Sequence, residues 1–146
     1  MELVISPYLI AGASGWVIAQ GIKYIIATIK GRKFNNLRQL YLSGSMPSAH
    51  TATVIAVLVV IGFKDGIESG LFGLATLFAA VVMYDAIMVR RSSGEQGASL
   101  TELIKLLKSK VNVPRVAKGH TPSEVVGGVI VGLVIGIVVH FATVGL

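Results

Sequence analysis

Cysteine is absent from this chain, so no disulfide framework, no thiolate metal site and no cysteine nucleophile can belong to its chemistry. Charge is scarce as well. Only 14% of the 146 residues are Asp, Glu, Lys or Arg, with 7 acidic residues against 13 basic ones. With 53% of residues hydrophobic and a mean hydropathy of +0.78, a soluble domain of this size would carry more apolar surface than its interior could hide. Lipid must cover the excess. Basic surface away from short membrane-flanking loops is also missing, which removes the basis for nucleic-acid binding.

What is present is a set of apolar runs of about 17 to 23 residues, close to the ~20 that a helix needs to cross ~30 Å of hydrocarbon. The expectation is one all-α membrane domain over residues 1–146, a bundle of about four transmembrane helices plus a short interfacial amphipathic helix. The first run is Pro7 to Ile29, with Ser6 placed to cap it and Pro7 at the first helical position. Only Glu2 is charged ahead of it, so it reads as a mature helix rather than a signal peptide. Gln20 and Lys23 interrupt its second half, and polar groups at that depth face protein or water rather than lipid. The second run, Thr51 to Phe63, reaches spanning length only if its helix begins at Pro47, which draws Ser48 and His50 into the first turn. The third covers Ile67 to Val89 and the fourth Val125 to Leu146. Between these two, Leu100, Leu103, Ile104, Leu107 and Val111 share one helical face opposite Lys105, Lys108 and Lys110, the pattern of an interfacial helix or of a helix packed on the protein's own loops.

Basic residues fix the orientation. The first connection holds Lys30, Arg32, Lys33 and Arg38. The third holds Arg90, Arg91, Lys105, Lys108, Lys110, Arg115 and Lys118, whereas Lys64 stands alone in the second. The first and third connections are therefore expected in the cytoplasm, with both termini outside. The net charge of +6 is a topological signal, and it also favours contact with anionic headgroups.

Folding the spans up and down gathers the unusual polar residues at the cytoplasmic end. Lys23 lies about two turns before the end of the first helix, Arg90 and Arg91 end the third, and His50 opens the second. His120 stands before the fourth, where Thr121, Pro122 and Glu124 spell a capping box. Helix N-termini present unpaired N–H groups to anions, phosphate above all, and Lys23, Arg90 and Arg91 add full positive charge. Two histidines in a cationic pocket suit phosphoryl transfer, one imidazole attacking phosphorus while the other protonates the leaving oxygen, with no metal or cofactor required. Taken singly, Lys23 is also a snorkelling lysine, Arg90 and Arg91 ordinary anchors, and Glu124 a helix cap.

The stretches MPSAHTA, YDAIMVRR followed by SGEQG, and GHTPSEVVGG resemble the divergent branch of the type-2 phosphatidic acid phosphatases, related to acid phosphatases and vanadium-dependent haloperoxidases. The resemblance spans nearly the whole chain. It implies His120 as nucleophile, Glu124 to orient its imidazole where the wider superfamily has aspartate, and His50 as acid. It also implies Ser48, Lys23, Arg90 and Arg91 as phosphate ligands, with Asp85 supporting Lys23 or Arg90. The sequence departs from the superfamily pattern in places. Lys30 and Gly31 stand where that pattern has arginine and proline after Lys23, and Arg115 is one residue off the register of the superfamily's later arginine.

The function expected is a metal-independent membrane phosphatase working through a phosphohistidine at His120 on a lipid phosphate of the cytoplasmic leaflet of a prokaryotic plasma membrane. Phosphatidylglycerophosphate is the first substrate and polyprenyl diphosphate the second. The rival class is a small transporter or helical assembly protein. Gly128, Gly132 and Gly136 repeat every four residues on the fourth helix, a smooth stripe for close approach of another helix, from this chain or from a second subunit in a homo-oligomer.

Overall fold

A computed structural model describes residues 5–30, 46–113, 116 and 119–144. Arg32, Lys33, Arg38, Arg115 and Lys118 lie outside the described residues. Among those described, the regular structure is helical throughout: α1 (Pro7–Ile29), α2 (Ala49–Lys64), α3 (Gly70–Tyr84), a π-helical segment (Asp85–Val89), α4 (Arg90–Leu106) and α5 (Pro122–Ala142). A helix suits apolar chain in lipid because it satisfies its own backbone. α1, α5 and the stretch Gly70–Leu106 are long and apolar enough to cross a membrane, and α2 is a shorter apolar helix.

The helix starts follow local chemistry. α2 begins at Ala49, two residues later than Pro47. Ser48 is its N-cap, and its hydroxyl accepts from the Thr51 amide at 3.4 Å. A helix starting at Pro47 would have had Met46 as cap, with no side-chain oxygen to satisfy an orphan amide. Ser69 caps α3 in the same way, accepting from the Phe72 amide at 3.1 Å. Ser6 precedes Pro7 as expected but makes no side-chain cap bond; its carbonyl accepts from Leu9 and Ile10 instead.

The third span does not stop at Val89. Gly70–Leu106 is one 37-residue helix, about 55 Å at the ~1.5 Å helical rise, so its end extends well past a ~30 Å hydrocarbon layer. The amphipathic stretch is thus its direct continuation, with Leu100, Leu103 and Leu106 exposed. It ends earlier than the periodicity suggested. Lys108 takes a left-handed φ of 48°, its amide bonds back to Lys105 and that of Ser109 to Ile104. That pairing closes the helix, leaving Lys108, Lys110 and Val111 beyond it.

The central helix is α2, shorter than the three candidate spans around it. α2 packs against α1, α3 and α5, and Ser48, Thr51, Ala52, Ala56 and Val60 have no exposed surface. α1 meets the bundle along Ala11, Gly15, Ala19, Lys23 and Ala27, a four-residue repeat of mostly small residues. The glycine stripe of α5 is filled within the chain. A Cβ added at Gly128 would lie 2.6 Å from the Ser48 carbonyl, one at Gly132 2.7 Å from that of Ala52, and one at Gly136 2.8 Å from that of Ala56. The stripe expected to receive a helix of this chain or of a second subunit is occupied by α2, so it is not free for another copy. The same pairings show that α2 and α5 run parallel, which brings both of their N-termini to one end.

Candidate active site

Three backbone contacts tie the site together. The Ser48 amide donates to the Glu124 carbonyl at 2.9 Å, joining the cap of α2 to the first turn of α5. The His120 amide donates to the Ala86 carbonyl at 3.0 Å, joining the loop before α5 to the π-helical segment. Gly119, just ahead of it, lies against the backbone of Arg90 and Arg91, where any Cβ would collide. In the π segment the ladder runs i→i−5, as in the bond from the Arg90 amide to the Asp85 carbonyl. Such segments are rare and widen a helix locally. Here the widened turn receives the histidine loop.

His120 is buried, at 9% exposure. Its Nδ1 lies 3.1 Å from Glu124 Oε2, and that same oxygen accepts the Thr121 amide at 3.0 Å. The capping box is complete, since Thr121 Oγ1 accepts the Glu124 amide at 3.4 Å. One carboxylate therefore caps α5 and holds the imidazole. Burial pushes the His120 pKa below its ordinary value of 6.5; the carboxylate of Glu124 opposes this, while the charges of Lys23 and Arg90 add to it. At neutral pH the ring is uncharged, with Nδ1 engaged by Glu124 and Nε2 left for chemistry.

The cations separate into two groups. Lys23, 5% exposed on α1, is within electrostatic reach of Glu124, His50 and His120. Arg90 also acts on both histidines, and it is braced by an ion pair from its Nε to Asp85. Asp85 thus supports Arg90 rather than Lys23. Arg91 points elsewhere, pairing with Glu95 at 3.1 Å along α4. His50, exposed in the first turn of α2, feels the fields of Arg90, His120, Lys23 and Asp85. Ser48 is fully buried and its oxygen accepts from Thr51 Oγ1 at 3.0 Å. The structure therefore gathers Lys23, Ser48, His50, Asp85, Arg90, His120 and Glu124 at one end of the bundle. His140 belongs to the other end, where it stacks on Phe63 with ring centroids 4.4 Å apart.

Among the described residues no three His, Asp or Glu side chains come together as a metal site. The arrangement offers an anion two cations and helix N-termini, and offers phosphorus one oriented neutral imidazole. Two contributors are not evident from residue types alone. Gly119 is signalled only by standing next to His120, and the π segment with its Ala86 carbonyl has no sequence signal.

The chain matches the family described as the divergent PAP2 family over residues 5–135. It is similar to the uncharacterized membrane protein YuiD of Bacillus subtilis (strain 168), with 30% identity over 156 residues, covering 97% of this chain and 98% of the relative. No solved structure matches the chain.

Proposed function

Since the chain belongs to the divergent PAP2 family, we propose that it is a metal-independent phosphatase of lipid phosphates that works through a phosphohistidine on His120. The observation that carries this reading is the buried imidazole of His120, fixed at Nδ1 by Glu124 3.1 Å away and lying in the field of Lys23 and Arg90.

In this mechanism Lys23 and Arg90 hold the phosphate oxygens, and Nε2 of His120 attacks phosphorus; Ser48, fully buried as the cap of α2, fixes that helix start instead of serving as the phosphate ligand that the resemblance implies. The ester P–O bond breaks as the P–N bond forms, and His50 gives its proton to the departing alkoxide. Glu124 stabilises the cationic phosphohistidine. Water then attacks phosphorus and yields its proton to the now neutral His50. The P–N bond breaks, returning the electron pair to Nε2 and releasing inorganic phosphate.

The site end carries Lys30, Arg90, Arg91 and Lys105, and the opposite end only Lys64 among the described loop residues, a bias that supports a cytoplasmic site in a prokaryotic plasma membrane. A lipid made on that side, phosphatidylglycerophosphate first and polyprenyl diphosphate second, fits this placement. The test is phosphate release by the purified protein in detergent with chelator present, across a panel of short-chain lipid phosphates. Hydrolysis lost in a folded His120→Ala variant is the expected result. Wild-type protein that releases phosphate from none of them would favour a transporter or assembly role instead.

A further inference from the structure

Gln20 takes no part in the chemistry above, yet its side-chain oxygen Oε1 is buried without a hydrogen-bond partner. Burying an acceptor strips its water, and native structures leave few such atoms unpaired. Its position can be read from the packing of α1 on α2. Gly12 faces Thr53 and Val57, and Gly15 faces Ala52 and Thr53, so the two helices run antiparallel. Trp16, one turn before Gln20, packs on the cluster of Ala19, Ala49 and Ala52. Carried onward, that register sets Gln20 level with Ser48 at the start of α2. Lys23 follows one turn later on α1, within reach of both histidines.

At the helical rise of ~1.5 Å, Gln20 lies about 4.5 Å deeper in the membrane than Lys23. A phosphate bound by Lys23 has, on its membrane side, the oxygen that links it to the rest of the lipid. A hydroxyl on the carbon next to the ester carbon falls at this depth and can donate to Oε1. An all-hydrocarbon alcohol has no such donor and would leave Oε1 bare.

We propose that Gln20 sets the substrate class, its buried oxygen accepting a hydrogen bond from a hydroxyl on the esterified alcohol. The site thereby selects polyol phosphates, such as a glycerol phosphate headgroup, over phosphates of polyprenol type. The assignment rests on the lipid-phosphatase reading.

The experiment compares full-length protein in detergent on two short-chain lipid phosphates that differ only in that hydroxyl, with a polyprenyl monophosphate as third substrate. Wild-type kcat/KM should favour the hydroxyl-bearing lipid by about 10- to 100-fold, since a site built to bind a hydroxyl rejects the analogue without it. Gln20→Met should bring the ratio near unity by slowing the hydroxyl-bearing substrate alone. Its thermal midpoint should stay level or rise, because no bond of the resting protein is lost. Gln20→Glu keeps an acceptor and should keep the preference. Equal wild-type rates on the matched pair overturn the proposal without reliance on any variant, and so does a preference that survives in active Gln20→Met. Phosphate release from none of the three overturns the phosphatase reading itself.

Discussion

Replacing Glu124 with glutamine changes charge while keeping shape, and the geometry around its single bonding oxygen sets what should follow. In the resting protein His120 is neutral at pH 7, because burial and the charges of Lys23 and Arg90 hold its pKa below the ordinary value despite Glu124. The carboxylate then holds a neutral ring. An amide oxygen can do nearly the same and can still accept the Thr121 amide, now 3.0 Å from Oε2. The loss of stability should be confined to the charge–dipole interaction at the start of α5 and some weakening of two hydrogen bonds, about 1 kcal/mol. The reacting state differs. Once Nε2 binds phosphorus the imidazole is cationic, and unit charges ~3 Å apart at an effective dielectric near 20 attract by about 5 kcal/mol. Solvent reaches 11% of the His120 side chain and 19% of that of Glu124, which lowers this ceiling. We expect about 2–3 kcal/mol, near 10²-fold in kcat, because the interaction strengthens only along the reaction. The amide NH2 can also donate to Nδ1 and favour the tautomer whose Nε2 bears the proton, deepening the loss. The assay is phosphate release at saturating lipid phosphate beside thermal unfolding of the same sample. A Glu124→Gln protein with near wild-type kcat, or one whose lost activity merely tracks its unfolded fraction, would refute the orienting role and leave a helix cap alone.

The pH dependence has a definite sign: the native pKa of His120 is depressed, so its contribution to stability is present above the ordinary value near 6.5 and is lost as pH falls through the native value. Thermal midpoints should therefore drop on acidification, and Glu124→Gln, which removes the group holding that pKa up, should move the acidic limb of the pH–rate profile lower. Gly128→Ala should cost about 1–3 kcal/mol, since its Cβ would lie 2.6 Å from the Ser48 carbonyl, while Gly73→Ala, with nothing within 4 Å, should be neutral or stabilising; midpoints in detergent would compare them. His140→Ala should leave turnover intact while His120→Ala abolishes it, an outcome that equal losses in folded proteins would contradict. A label near Asp65 should react with impermeant reagents in intact cells, whereas protection there would move the site to the external face.

The sequence by itself determined the four apolar helices and both ends of α1, while α2 and α3 begin later than their expected starts and the third helix runs on past Val89. Apolar runs of about 20 residues leave few alternatives in a bilayer, and Thr121 and Glu124 supply capping atoms within three residues of the amides they serve. It also nominated His50 and His120, because two parallel helix starts are fixed by counting crossings. Faces were less legible. A helix that is apolar all round has no polar side to point outward, so periodicity cannot tell where α3 or α5 meets protein. Only the small-residue stripes, Gly128 to Gly136 and Ala11 to Ala27, betray contact, and even they do not say with which partner. Tertiary structure made α2 that partner and set it at the centre. It also chose between neighbouring arginines. Arg90 is turned toward the histidines and braced by Asp85, while Arg91, one residue on, pairs with Glu95 along α4. A step of one residue rotates a side chain by about 100°, so the choice depended on where the π turn shifted the helix phase and on the contact between Gly119 and that turn, separated by some thirty residues of chain.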